Sequence, residues 1–142
     1  MTSLSAVKTI DEALVLCRDM DASVNERLAC YAEAVRKFTP PFAEAVDRLV
    51  TRLKNSGAGE AAPRPGDPMP PFLLPDEDGQ LVSLDRLLTK GPVAVTFHRG
   101  HWCPYCRINV NALVKAQAEI AAEGGQIVAI MPERQEFAIE FK

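Results

Sequence analysis

Apolar side chains recur at three- and four-residue intervals through the first third of the chain, and the pattern predicts three helices up to about Asn55. The first places Val7, Ile10, Leu14 and Cys17 on one face, with Thr9 and Glu12 available as a capping box. The second starts at Ser23, has Glu26 three residues on as its own capping box, and carries Val24, Leu28, Tyr31, Val35 and Phe38 along one stripe. The run TPPF stops it. Thr39 is then placed to cap a third helix that opens on Pro40 and buries Phe42, Val46, Leu49 and Leu53, with NSGAG as its end.

The pattern changes after Gly57. Five of the eleven prolines fall between Pro63 and Pro71, which removes backbone donors and favours an extended linker. Beyond it, FLLPDEDGQLVSL reads as two short strands around an acidic turn. DEDG lacks the twelve-residue spacing of a calcium loop, so a turn is the simpler reading. Ser83 caps a short helix, LDRLL, that ends at Gly91 before Pro92. VAVTF, residues 93–97, is a β-branched run of the kind buried on both faces. A helix from about Pro104 to Glu123 packs through Val110, Leu113 and Ile120 and stops at Gly124, and QIVAIM forms the next strand. Strand, helix and strand in this order make a parallel unit with a right-handed crossover. The expected organisation is a helical module over 1–56, a proline-rich linker over 57–71 and an α/β domain over 72–142.

Composition narrows the functional classes. The chain has 142 residues, 47% hydrophobic and 25% charged, with a net charge of −3. That suits one globular domain with an appendage and lacks the basic excess that drives binding to nucleic acid. Lys8, Asp11 and Glu12 interrupt any apolar leader, and no uncharged run approaches the ~20 residues needed to span a bilayer. No membrane association is expected, and the expected location is the cytoplasm. There, closely spaced cysteines more often serve redox chemistry or metal binding than structure.

FHRGHWCPYC, residues 97–106, holds such a pair where a strand hands over to a helix. Cys103 directly precedes Pro104, so its sulfur faces the unpaired N–H groups of a new helix, which favour a thiolate over a thiol. Arg99 and Arg107 are near in sequence and add positive charge, so Cys103 is expected to have a depressed pKa and to be the exposed nucleophile. Cys106, almost one turn further, is expected to lie deeper and to act as the resolving thiol. Trp102 supplies an apolar lip over the sulfur. The competing readings are two inert buried thiols, or a zinc site completed by His98 and His101. Two thiolates alone leave a tetrahedral shell unfilled, and the histidines are better read as solvent-side groups that tune charge. Cys17 and Cys30, distant from each other in sequence, are expected to be small apolar core residues.

FHRGHWCPYCRINVNAL resembles the active-site segment of the peroxiredoxin-like branch of the alkyl hydroperoxide reductase and thiol-specific antioxidant (AhpC/TSA) family, in the thioredoxin-like superfamily. GDPMPPFLLPDEDGQLVSL resembles the same family's entry segment, and the helical appendage fits that branch. The resemblance implies a thioredoxin-like fold with Cys103 as the peroxide-attacking cysteine, Cys106 as its resolving partner in a redox-active disulfide, and Arg99 and Trp102 beside them. It implies a thiol-dependent antioxidant that takes a hydroperoxide, is reduced by an external dithiol such as a thioredoxin-like protein, and needs no cofactor or metal. Typical members hold threonine three residues before the attacking cysteine and proline seven before it. Here those positions are Gly100 and Thr96, which shifts weight toward thioredoxin- or glutaredoxin-like disulfide reduction. The family pattern also continues for two strands and a helix beyond ERQEFAIEFK, and Pro132 lies too close to the second strand to be the family's cis-proline. The expected fold is therefore C-terminally incomplete. It is a fragment, a homo-oligomer that completes its sheet with a second copy, or a non-catalytic redox-responsive interaction module.

Overall fold

In the computed structural model, residues 4–138 are described. The chain divides into two compact units between Pro70 and Pro71.

The first unit is helical. A 3-10 turn at Leu4–Ala6 precedes α1 (Ile10–Asp19), α2 (Val24–Phe38) and α3 (Pro40–Asn55), and α2 packs against both neighbours. Val7 lies before α1 rather than inside it, yet it joins Ala13 and Ala34 in the core with Leu4, Ile10, Leu16 and Phe38 against them. The Ser23–Glu26 capping box forms as the sequence predicts. At α1, Thr9 Oγ1 accepts from the Glu12 N–H at 3.1 Å, but the Glu12 carboxylate takes the Lys8 N–H at 2.8 Å instead of closing a box on Thr9.

The third helix departs most from expectation. Thr39 precedes α3, but its hydroxyl donates backward to the Val35 carbonyl at 2.9 Å and caps the end of α2 rather than the start of α3. Pro40 at the first position removes one of the donors that would otherwise need a cap. The stripe expected to be buried is not: Phe42, Leu49 and Leu53 are exposed, and no residue of α3 is fully buried. An apolar stripe states which face seeks cover, not that cover exists.

The second unit is α/β. An antiparallel hairpin pairs β1 (Leu73–Pro75) with β2 (Leu81–Ser83). Asp76 makes the turn, its Oδ1 accepting the N–H groups of Asp78 at 3.0 Å and Gln80 at 2.7 Å. Ser83 caps α4 (Leu84–Leu88), accepting from the Arg86 N–H, and the helix ends at Leu88, short of Gly91. Then β3 (Val93–Phe97), α5 (Pro104–Ala122) and β4 (Gln126–Ile130) form the expected crossover unit, with Val93 opposite Gln126 and Phe97 opposite Ile130 in parallel register. Met131 falls just outside β4.

The β3 run is not buried on both faces as predicted, since Ala94 and Phe97 are exposed, Phe97 at 70%. Among the described residues β3 and β4 pair only with each other. Gly91 sits at φ 142°, where a Cβ would collide with the Gly124 carbonyl oxygen, so glycine lets the strand entrance and the end of α5 meet. A short helix, α6 (Gln135–Ala138), follows β4, and residues 139–142 lie outside the described residues. No helix among the described residues is long and apolar enough to cross a membrane.

Candidate active site

β3 delivers His98 and Arg99 to the carboxyl edge of the two-stranded sheet, and Gly100 to Trp102 turn the chain into α5. The ladder runs one residue past β3, with the His98 N–H donating to Ile130 at 2.8 Å. Cys103 is the N-cap of the 19-residue α5, with Pro104 at its first position. Its sulfur accepts the Cys106 N–H at 3.4 Å, the helix-end contact expected from sequence.

The two arginines separate. Arg99 Nη2–H donates to the Cys103 sulfur at 3.0 Å, while the Arg99 backbone N–H donates to the Cys106 sulfur at 3.3 Å. Arg107 is exposed on α5 and, among the described residues, bonds neither sulfur. The Arg99 guanidinium also lies 5.7 Å from the Trp102 ring centroid, within cation–π range. Trp102 itself is 60% exposed.

Burial overturns two expectations. Cys103 is 0% exposed and Cys106 8%, so Cys103 is not the open thiol, and Cys106 is not the deeper one. The acidities reverse as well. Burial pushes the Cys103 thiol up, and its hydrogen bond with the Cys106 side chain adds to that, outweighing the Cys106 N–H and Arg99. Burial opposes ionisation of Cys106 too, but the Cys103 S–H, the Arg99 N–H and the guanidinium together hold Cys106 below the ordinary thiol range. The pair therefore loses its first proton from Cys106, with Cys103 donating its S–H to the resulting anion. Helix-end position alone could not reveal this, because it leaves out the second sulfur as a hydrogen-bond partner.

His98 is not a solvent-side group, whereas His101 is partly exposed. His98 is buried, and burial lowers its pKa, favouring neutral imidazole. Its Nε2 lies 2.9 Å from the Thr96 hydroxyl, two residues back on the same side of the strand, and that hydroxyl reaches the Val128 carbonyl at 3.3 Å. Thr96 thus ties β3 to β4 through its side chain. His101 turns away from the sulfurs' hydrogen bonds. Its Nδ1 is 2.7 Å and its backbone N–H 3.0 Å from Glu133 Oε2, and its ring stacks on Phe137 at 4.7 Å.

Glu133 is the residue that sequence reading misses. It lies three positions past β4, at the same carboxyl edge as Cys103, and that shared edge was the available signal. The His101 hydrogen bond holds its carboxyl below the ordinary range. Glu133 also explains the glycine. Gly100 has φ 137°, and a Cβ there would stand 2.6 Å from both Glu133 Oε2 and Trp102 Nε1. A groove of about 540 Å³ between the hairpin and β4 reaches Glu133 and includes neither Cys103 nor Cys106.

Away from this site, the other two cysteines also meet. The Cys17 S–H donates to the Cys30 sulfur across 2.8 Å, so two residues distant in sequence are in direct contact.

Comparison with known families matches residues 65–142, more than half of the chain, to the AhpC/TSA family. No curated protein matches the chain. No solved structure matches it either.

Proposed function

The chain belongs to the AhpC/TSA family, a thiol-based redox family, and on that premise we propose that it reduces hydroperoxides through Cys103 and Cys106. The observation that carries the reading is a fully covered Cys103 sulfur held by a guanidinium at 3.0 Å and a helix N-terminal N–H at 3.4 Å. Both donors stabilise negative charge at the sulfur, and the cover favours a small electrophile. Exchange with a folded protein's disulfide needs the attacking sulfur at the surface.

Once the pair has lost one proton, the other is held between the two sulfurs. Moving it from Cys103 to Cys106 puts the charge on Cys103, where Arg99 and the Cys106 N–H receive it. The Cys103 thiolate then attacks the terminal peroxide oxygen. An S–O bond forms, the O–O bond breaks, and the alkoxide leaves as an alcohol after taking a proton, so that Cys103 becomes a sulfenic acid. Cys106 attacks that sulfur, hydroxide departs as water, and the resulting disulfide is reopened by an external dithiol. Trp102 is exposed beside the pair and carries Arg99 against its face.

The test is hydroperoxide loss per mole of protein in two variants. Cys103→Ser is expected to consume none. Cys106→Ser is expected to consume one equivalent and stop, with a sulfenic acid that dimedone traps on Cys103. Peroxide turnover by Cys103→Ser would overturn the reading. Rapid insulin reduction without peroxide consumption would replace it with disulfide exchange.

A further inference from the structure

Cys17 lies in the last turn of α1 and is fully buried, whereas Cys30 lies in the middle of α2 and is half-exposed. Their sulfurs are 2.8 Å apart. A disulfide bond is about 2.0 Å long, so closing one requires less than about 1 Å of movement. The approach is held in place by backbone contacts. The buried Arg27 donates Nε–H to the Cys17 carbonyl at 3.2 Å, satisfying one of the acceptors that α1 leaves open at its end and placing positive charge there. Arg27 and Cys30 are three positions apart, so they share a side of α2, and the bond that fixes Arg27 also fixes Cys30 opposite Cys17.

We propose that Cys17 and Cys30 form a second redox site, an oxidisable dithiol that low-molecular-weight disulfides convert to a bond between α1 and α2. The half-exposed Cys30 acts first. Its thiolate attacks one sulfur of the small disulfide RSSR, forming Cys30–S–S–R and releasing RS⁻. Cys17 then loses its proton, attacks the Cys30 sulfur and expels the second RS⁻. Two protein thiols become one disulfide, RSSR becomes two thiols, and the protons end on the released RS⁻ groups. Burial and the Cys30 sulfur push the Cys17 thiol up to about 12. Cys17 therefore remains a protonated thiol until the mixed disulfide is beside it, and Cys30 is the entry point.

The experiment uses the full reduced chain under native conditions, with oxidised glutathione as the probe. After acid quenching and alkylation, tryptic cleavage separates residues 9–18, which hold Cys17, from residues 28–36, which hold Cys30. The expected product is these two peptides joined by a disulfide, in the wild type and equally in Cys103→Ser/Cys106→Ser. Retention in that double variant separates this site from the peroxide reaction, so either proposal can fail alone. The oxidised form is expected to melt higher by roughly 10 °C, since the bond closes a short loop between two helices. In Cys30→Ser, Cys17 is expected to take up no glutathione. The proposal is overturned if saturating oxidant leaves Cys30 glutathionylated with Cys17 alkylatable, if both thiols stay free, or if the joined peptides appear only in urea.

Discussion

The two cysteine pairs contrast the same chemical group in two surroundings. Cys103 and Cys106 sit within one turn of one helix, at its N-terminus, beside a guanidinium. Cys17 and Cys30 come from two helices, and what Arg27 offers them is a bond to a carbonyl rather than to a sulfur. Burial raises the thiol pKa of Cys17 in one pair and of Cys103 in the other. Among the described residues N–H donors are aimed at the sulfurs of the first pair, and there Cys106 falls below the ordinary thiol range whereas Cys17 rises above it. Proximity of two sulfurs therefore makes a dithiol, whereas acidity comes from the donors around it.

Removing those donors should collapse the difference. In Arg99→Gln the guanidinium contact of 3.0 Å is lost, and a charge-assisted hydrogen bond contributes about 1.5–3 kcal/mol. Peroxide consumption at neutral pH is expected to fall roughly tenfold to a hundredfold. Thiolate ultraviolet absorbance should shift to higher pH; an unchanged titration would break the assignment of acidity to Arg99. Next in size is Cys106→Ala. The Cys106 side chain raises the Cys103 thiol, whereas the Cys106 backbone N–H lowers it and survives the substitution. Cys103 should then ionise at lower pH than in the wild type. Iodoacetamide reactivity against pH reads this directly, and a shift upward would contradict it.

Alkaline pH probes the other pair. Cys17 rises from 9.0 to about 12 on folding, so the folded state keeps a proton that the unfolded chain sheds above 9.0. Its contribution to stability is complete below pH 9 and is lost as pH climbs toward 12. Chemical denaturation of Cys17→Ala should show a shallower decline across that window, separate from any pH-independent loss caused by the vacated volume. The smallest effect expected is at Glu133. Its folded pKa lies below the ordinary 4.5, so its contribution is present above 4.5 and fades as pH falls through the folded value. Glu133→Gln should flatten stability below pH 4.5 and leave the thiol titrations of both pairs in place.

Local rules were legible in sequence. The Ser23–Glu26 box, the Ser83 cap, the Asp76 turn and Cys103 as the N-cap of α5 each depend on residues a few positions apart. Facts about layers were not. The β-branched run of β3 suggested cover on both faces, and the stripe of α3 suggested a buried side, but neither pattern counts what is available to cover it. That Cys103 and Cys106 stand together at a helix start with Arg99 beside them was legible too. The pair's exposure and acidity were misjudged because they depend on the tertiary cover over Cys103 and on the proton between the sulfurs. Glu133 and the Cys17–Cys30 contact went unseen because both join segments that no helical or strand spacing relates.

Gly100 carries a consequence for how this site can change. Position 100 lacks room for a β-carbon because the Glu133 carboxylate and the Trp102 indole occupy the space, and its φ of 137° disfavours any other residue. A threonine there, as typical relatives of this chain have, would have to displace the Glu133 carboxylate and the Trp102 indole and would strain the backbone. Residues 100, 102 and 133 thus restrict one another: a side chain at position 100 asks for movement at Glu133 and at Trp102 as well as a new backbone conformation.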